Sequence, residues 1–303
     1  ADSAKTVWDF IKTGHTTASG ERKRRHVCVR SRGIWFSGNC AGLWRQMIRK
    51  IKERRRKMRL FLRDIWKYRK YMIRAAKAEL RSEVTNAYLD WFWWVLEPVC
   101  NMLIYYLIFG IVFLNSERYY LVFIYSSITM WTFFQKTMVS SVQLIRDSKA
   151  IITKVYLPKP VLLLEKMVLN AFKMAISAVI VVVLMLPYRV PVDAHLAGLI
   201  PVLCVFFLFT YGCGCILMHF GVYVSDLAYI VSIVLNMLFY FTGIFYSVQD
   251  CIPAPWGSVF EAMNPLAFLI AQMRNALIYQ NPVAVRGMLC WLVGALILAV
   301  LGS

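Results

Sequence analysis

The sequence has few acidic residues, few histidines and none of the short motifs that mark soluble enzymes. It holds 16 Asp and Glu against 35 Lys and Arg, and its 4 histidines are scattered along 303 residues. It contains no GxxxxGK[ST], HExxH or GxSxG motif. These absences exclude a phosphate-binding loop for ATP, an HExxH zinc site and a serine nucleophile elbow. We therefore predict no catalytic residue, no metal site and no cofactor in this chain.

The 8 cysteines show no pattern of a metal or disulfide site. Cys28 and Cys40 are too far apart for a CxxC motif and have no histidine at metal spacing. Cys251 is the one cysteine predicted on the outer side, so no internal disulfide is expected. The other five lie in apolar runs, where a thiol acts as a small hydrophobic group: Cys100, Cys204, Cys213, Cys215 and Cys290.

Long apolar runs, in contrast, dominate the chain, of which 59% is hydrophobic. A helix rises about 1.5 Å per residue, so about 20 apolar residues cross a bilayer. The sequence therefore predicts an all-α integral membrane protein whose transmembrane domain covers residues 91–303. The six predicted spans are Trp91–Leu114, Tyr119–Val142, Lys166–Pro187, Gly198–Val222, Leu227–Tyr246 and Val283–Ser303, and the uninterrupted apolar part of the last span is short.

Positive charge is concentrated in the first third of the chain. Residues 1–90 hold 24 Lys and Arg against 8 Asp and Glu. Nucleic-acid binding would suit this charge, but no nucleic-acid motif accompanies it. The positive-inside rule instead predicts that the basic N-terminus and the basic segment 144–166 face the cytoplasm, next to anionic lipid. Six spans then place both termini in the cytoplasm, and residues 1–57 form a basic cytoplasmic extension with no assigned role.

Residues 58–90 are predicted to contain an amphipathic helix at the membrane interface. Apolar residues recur every three or four positions from Met58 to Leu80, and basic residues recur in the same way on another face. Such a helix can place its cations among lipid headgroup phosphates, although packing against a partner protein is an alternative. The predicted headgroup-facing residues are Arg63, Lys67, Lys70 and Arg74.

Three of the spans carry polar and aromatic residues at helical spacing. Such groups are costly when they face lipid, so the stripes predict a shared path through the protein, lined by rings that suit stacking on sugars. Hydrogen bonding between helices and an interfacial aromatic belt are the alternatives. The stripes comprise Asp90, Trp94, Glu97, Asn101 and Tyr105; Tyr125, Thr129, Thr132, Lys136 and Ser140; and Ser225, Tyr229, Ser232, Asn236 and Tyr240.

Two further segments interrupt the spans. The basic stretch 147–156 predicts a short amphipathic cytoplasmic helix of two or three turns, which Pro158 and Pro160 end. Residues 248–282 are half apolar and contain Pro253, Pro255 and Pro265. This composition predicts re-entrant or interfacial helices on the outer side, centred on 248–276.

Several motifs together resemble the membrane subunit of polysaccharide-exporting ABC transporters, which export O-antigen, capsule or wall teichoic acid. They cover residues 58–303 and consist of Trp66–Arg69, Tyr88–Pro98, Met130–Phe134, Lys154–Pro158 and Met263–Leu266. The resemblance implies the permease half of an exporter that moves a lipid-linked glycan across the cytoplasmic membrane. It also implies a homodimer with two ATPase chains, which would hold the ATP and magnesium.

The resemblance assigns roles to the segments already described. The helix 147–156 would be the coupling helix, 248–276 would form the outer gate helices, and the first, second and fifth spans would line the channel between two copies. Lys136 departs from the family pattern, in which a small polar residue is more usual. The predicted coupling residues are Ser148, Lys149, Ile151, Ile152, Thr153, Lys154 and Tyr156.

Two other functions are compatible with the same sequence. An exporter of a drug or lipid would have the same architecture, but with fewer aromatic residues on the three stripes. A membrane-embedded transferase would act without an ATPase partner, but the spans hold no paired carboxylates for such chemistry.

Overall fold

The computed structural model describes residues 30–31, 34–35, 63, 66–83, 90–113, 117, 119–154, 157–189, 194–224, 226–251, 253 and 256–302. The chain divides into two units, Ala1–Leu62 and Arg63–Ser303. In the first unit, β1 (Arg30–Ser31) pairs with β2 (Ile34–Trp35) in an antiparallel manner. The described residues of the second unit form helices joined by turns, with no strand among them, which confirms the predicted all-α class for the membrane domain.

The helices follow the predicted spans closely. Helix α1 covers residues 66–83, and α2 (Asp90–Tyr105) continues into a π-helix (Tyr106–Val112). The later elements are α3 (Tyr120–Asp147), α4 (Lys149–Ile152), α5 (Lys159–Met185), a 3₁₀ helix (Ala194–Gly198), α6 (Leu199–Gly221), α7 (Leu227–Phe241), α8 (Val248–Cys251), α9 (Trp256–Met263), α10 (Pro265–Arg274), a second π-helix (Asn275–Tyr279) and α11 (Val285–Gly302).

Four of the described helical stretches are long and apolar enough to cross a membrane: Phe92–Val112, Lys159–Met185, His195–Gly221 and Val285–Gly302. Helix α3 is longer than any of these but more polar, because it is the central helix of the bundle. Helix α7 has 15 residues, which is about 22 Å and shorter than a full span. The count of six spans therefore stays a prediction.

The predicted fifth span extends too far, because α7 ends at Phe241 rather than at Tyr246. Residues 242–246 form a turn in which Gly243 has a φ of +69°, a conformation that glycine adopts without a steric penalty. Helix α5, in contrast, begins at Lys159, seven residues before the predicted start of the third span. Pro160 lies in its first turn, where the missing amide donor has no cost.

The core lies around α3, most of whose side chains from Tyr120 to Met138 are buried. Helices α2, α5, α6, α7 and α10 all pack against it. Small residues allow close helix packing, as in other membrane bundles. At Gly212 of α6, an added Cβ would lie 2.8 Å from the Cβ of Leu298 and 2.9 Å from the backbone nitrogen of Ala299 on α11. This glycine therefore sets the separation of α6 and α11.

The segment predicted to be re-entrant consists of α8, α9 and α10 and continues into the second π-helix. Asn264 caps α10, because its side-chain oxygen accepts hydrogen bonds from the backbone nitrogens of Leu266 (3.1 Å) and Ala267 (3.3 Å). Pro265 occupies the first helical position, where it is well tolerated. The broken helices agree with the predicted architecture, whereas their role as a gate stays a prediction.

Candidate functional site

A crevice between α2, α3 and α5 brings together five of the residues predicted to line a path. We call it the lysine crevice. Its walls are formed by Trp94, Glu97, Pro98, Thr129, Thr132, Phe133, Lys136, Asn170, Lys173, Met174 and Ser177. The first and second stripes thus face the same space. Their role in transport stays a prediction.

The lysine crevice is strongly charged for a site inside an apolar bundle. Lys136 Nζ lies 3.4 Å from Glu97 Oε2, and both side chains are about half exposed. An exposed pair of this kind contributes at most about 1 kcal/mol in water. Pairing nevertheless lowers the cost of placing both charges within a membrane domain. Lys136 is therefore held in the crevice by a carboxylate of the neighbouring helix.

A second lysine connects the crevice to α1. Lys173 Nζ lies 2.7 Å from Glu83 Oε2 and 5.4 Å from the ring centroid of Trp94. The ring of Trp94 also meets Phe172 edge-on, with centroids 6.5 Å apart. The cation therefore sits between a carboxylate of α1 and an aromatic face of the crevice, an arrangement that fixes its position.

Helix α1 packs on the bundle through its predicted apolar face. Met72 and Ala76 are buried, whereas the predicted headgroup-facing residues are exposed: Arg63, Lys67, Lys70 and Arg74. Lys166 of α5 pairs with Glu79 of α1. Burial, and then the nearby Glu165 carboxylate, raises the pKa of the Tyr71 hydroxyl. The position of this helix at the membrane interface stays a prediction.

The remaining stripe residues do not reach the lysine crevice. Tyr125 is completely buried in the core, so within one chain it does not line an open path. Tyr105 packs against Phe239 (centroids 5.6 Å apart) and Phe245 (4.6 Å). The other members lie elsewhere on α2 and α7: Asn101 is half-buried, Ser232 is part-buried, and Asn236 and Tyr240 are exposed.

Helix α4 is shorter than the predicted coupling helix 147–156, because it covers only Lys149–Ile152. Helix α3 runs to Asp147, and Ser148 separates the two helices with its buried side chain. At the other end, the Thr153 hydroxyl donates to the carbonyl of Lys149 (3.0 Å), which completes the single turn. Tyr156 and the side chain of Ile151 lie outside the described residues.

The described coupling residues present a mixed surface. Lys149, Thr153 and Lys154 are exposed, and Ile152 is half-buried. This small, basic turn joins α3 to α5, two of the three helices that form the lysine crevice. A force applied to α4 would therefore act directly on both of these helices.

Comparison with known proteins identifies the family. Residues 74–278, more than half of the chain, match the family described as ABC-2 type transporter. The chain belongs to this family. It is thus the membrane transport subunit of an ABC transporter, which works with ATPase partners. The family match confirms the resemblance that the sequence motifs indicated.

Two relatives of this ABC-2 transporter chain share one name. The O-antigen export system permease protein RfbA of Myxococcus xanthus is 26% identical over 220 residues, which cover 73% of this chain and 84% of the relative. The protein of that name from Klebsiella pneumoniae is 25% identical over 198 residues, which cover 65% of this chain and 76% of the relative. The matches thus extend over most of each relative.

Sequence reasoning missed part of the lysine crevice in this ABC-2 transporter chain. Asn170, Lys173 and Ser177 recur at spacings of three and four on α5, so they form a fourth stripe that the same rule would have found. Lys173 is the charged member of this stripe. Its partner Glu83 could not be identified from spacing, because the two residues lie 90 positions apart in the sequence.

Proposed function

We propose that this chain is the permease half of an ATP-driven exporter that moves a lipid-linked polysaccharide across the cytoplasmic membrane. The observation that carries the proposal is the similarity to two O-antigen export permeases over most of their length. The aromatic and polar lining of the lysine crevice, with Trp94 beside Thr132 and Asn170, supports a sugar-bearing substrate. The comparisons do not favour an exporter of drugs.

The proposed assembly contains a second copy of this chain and two ATPase chains, with both termini in the cytoplasm. Helix α7 supports the second copy, because it exposes large side chains along one side: Tyr229 is 75% exposed, Ile233 69% and Tyr240 58%. The predicted path residue Asn236 lies on the same helix and is also exposed. Pairing of two such surfaces would place the stripe of α7 opposite its counterpart and complete the path.

The ATPase partners would act on α4 and its flanks. Hydrolysis would move this turn, and with it α3 and α5, as a rigid-body displacement. ATP and magnesium would bind in the partner chains. The coupling residues proposed for this contact are Ser148, Lys149, Ile151, Ile152, Thr153, Lys154 and Tyr156.

The phosphate of the lipid carrier would meet the chain near α1 and the lysine crevice. The exposed cations of α1 suit the headgroup level of the membrane. Lys136 and Lys173 lie further in, each held by a carboxylate. Competition between phosphate and these carboxylates would make binding reversible, as transport requires.

Deletion of the gene in its own host tests the proposed function. We expect polysaccharide to disappear from the cell surface and lipid-linked polysaccharide to accumulate inside, as measured by fractionation and carbohydrate staining. The gene for this chain, supplied in trans together with its ATPase gene, should restore export. A deletion strain with a normal surface polysaccharide would contradict the proposal.

A further inference from the structure

A polar cavity lies between the helices of the re-entrant segment and the adjacent ends of α3 and α7, apart from the lysine crevice. Its volume is about 930 Å³, including its open mouth. We call it the outer polar cavity. It is lined by Glu117, Phe123, Thr242, Ser247, Val248, Gln249, Glu261, Ala267, Ala271, Arg274, Asn275, Tyr279 and Asn281.

Arg274 is the most unusual residue of this cavity, because its guanidinium is almost completely buried. It is 5% exposed and stacks on the ring of Phe123, with its central carbon 3.5 Å from the ring centroid. Its Nε donates to Ser127 Oγ, and its Nη2 donates to the carbonyl of Ile244, both at 2.9 Å. These contacts fix the plane of the guanidinium.

The same contacts leave donors of Arg274 available. A guanidinium has five N–H groups, and two of them account for the hydrogen bonds to Ser127 and Ile244. Within residues 63–303, as far as they are described, the other three have no protein acceptor. These donors face the open cavity, where a ligand with acceptor atoms can reach them.

An acidic group shares this cavity with Arg274. Glu261 of α9 is 6% exposed and accepts a hydrogen bond from Gln249 Nε2 at 2.8 Å. Glu261 and Arg274 do not form an ion pair with each other. The two charged groups therefore line one cavity without direct pairing. Glu261 keeps further acceptor capacity, because a carboxylate offers about four lone-pair sites.

This combination of groups disfavours both a free anion and a cation as the ligand. A free anion would meet the carboxylates of Glu261 and Glu117, and a cation would meet Arg274. A neutral polyol satisfies both sides, because each hydroxyl accepts a hydrogen bond from the guanidinium or donates one to the carboxylate. The ring of Tyr279 and the amides of Asn275 and Asn281 add a flat surface and further hydrogen-bonding groups.

We propose that the outer polar cavity binds a neutral sugar unit of the exported glycan through Arg274 and Glu261. The proposal rests on the proposed function, since the sugar belongs to the exported chain. By the predicted topology, the re-entrant segment faces the outer side. A sugar held there would keep the emerging chain from slipping back while the transporter resets.

Photo-crosslinking during export tests this proposal directly. The photoreactive residue p-benzoylphenylalanine replaces Asn281, which is exposed at the cavity. The matched control replaces Tyr188, an exposed aromatic residue that lies between the predicted third and fourth spans and outside the cavity. The probe is the cell's own polysaccharide, which periodate staining detects on the crosslinked protein. We expect a carbohydrate-positive band for the Asn281 variant and none for the Tyr188 variant.

Glu261→Gln, added to the Asn281 variant, tests the carboxylate without a change in size. Loss of a hydrogen bond to a charged group should lower the crosslinking yield about tenfold. Unchanged protein amount and unchanged co-purification of the ATPase show that the variant folds. Arg274→Lys tests the guanidinium in the same way. Equal yields at Asn281 and Tyr188, or an unchanged yield with Glu261→Gln, would overturn the proposal.

The two proposals fail in distinguishable ways. If deletion of the gene leaves surface polysaccharide unchanged, the proposed function fails. If deletion removes surface polysaccharide but no carbohydrate is crosslinked at Asn281, only the sugar site is wrong.

Discussion

Replacement of Gly212 by alanine should destabilise the protein, because α6 and α11 are in backbone contact there. The added Cβ would lie 2.8 Å from the Cβ of Leu298 and 3.1 Å from its carbonyl carbon. Carbon atoms in good contact are about 3.5–4.0 Å apart. The two helices would therefore have to separate by about 0.7 Å or more. The neighbouring atoms belong to backbone and Cβ, so no side-chain rotation relieves the overlap.

The expected magnitude follows from two opposing effects. Overpacking of a tight interior costs about 1–3 kcal/mol. Alanine, however, favours the helix over glycine by about 0.8–1.0 kcal/mol. Gly294→Ala on α11 is the matched control, because its new Cβ would meet the Trp291 ring at an ordinary 3.7 Å. Both variants share the gain in helix propensity, so the difference between them isolates the overpacking cost of about 1–3 kcal/mol.

The apparent melting temperature of the purified protein in detergent measures this difference. A change of 1 kcal/mol moves the midpoint by about 2–4 °C in a chain of roughly this size. Gly294→Ala should match or exceed the wild type, and Gly212→Ala should melt several degrees below Gly294→Ala. If the two variants melted together, the described contact between α6 and α11 would be wrong.

Three further predictions concern the lysine crevice, α4 and the polar stripe of α7. Glu83→Gln should weaken the attachment of α1 by about 1 kcal/mol, and a double-mutant cycle with Lys173→Met should show coupling of that size; strictly additive losses in stability would exclude the ion pair. Ile152→Asp should abolish ATP-dependent export, since a charge would disrupt the half-buried contact of α4, while membrane insertion stays normal; unchanged export would remove α4 from the coupling surface. Trp94→Ala and Tyr240→Ala should each reduce surface polysaccharide without loss of ATPase co-purification, and normal export by both variants would contradict the proposed path.

Hydrophobic run length predicted most of the helices, because a membrane span must satisfy its backbone internally and must be long. The predicted first span, Trp91–Leu114, differs from the observed helical stretch Asp90–Val112 by one or two residues at each end. Run length predicted the end of α7 wrongly, because apolar residues continue past Phe241 although the chain turns there. The reason is local, since Gly243 adopts a positive φ that hydropathy does not register.

The sequence pattern also did not predict the length of α4. Composition limits a helix only at its prolines, and Pro158 permitted a helix up to Tyr156. In the structure Ser148, whose side chain is buried, lies in a turn, and residues 153–154 form a second turn, so α4 ends at Ile152. Burial at such positions depends on the neighbouring helices, so these limits appear only in three dimensions.

The stripes show which polar residues in a span carry information about a site. Thr129 donates to the carbonyl of Tyr125 at 2.8 Å, and Ser232 donates to the carbonyl of Ala228 at 2.8 Å. A hydroxyl can thus be satisfied by its own helix, and its presence in a span requires no path.

An ionised group cannot be satisfied in this way. Glu97 and Lys136 need each other across two helices, and Lys173 reaches α1 for its carboxylate. Retaining such charges in an apolar bundle is costly, and a well-packed hydrophobic replacement would often be as stable. The charged members of the stripes, rather than their hydroxyls, are therefore the predicted path residues to test first.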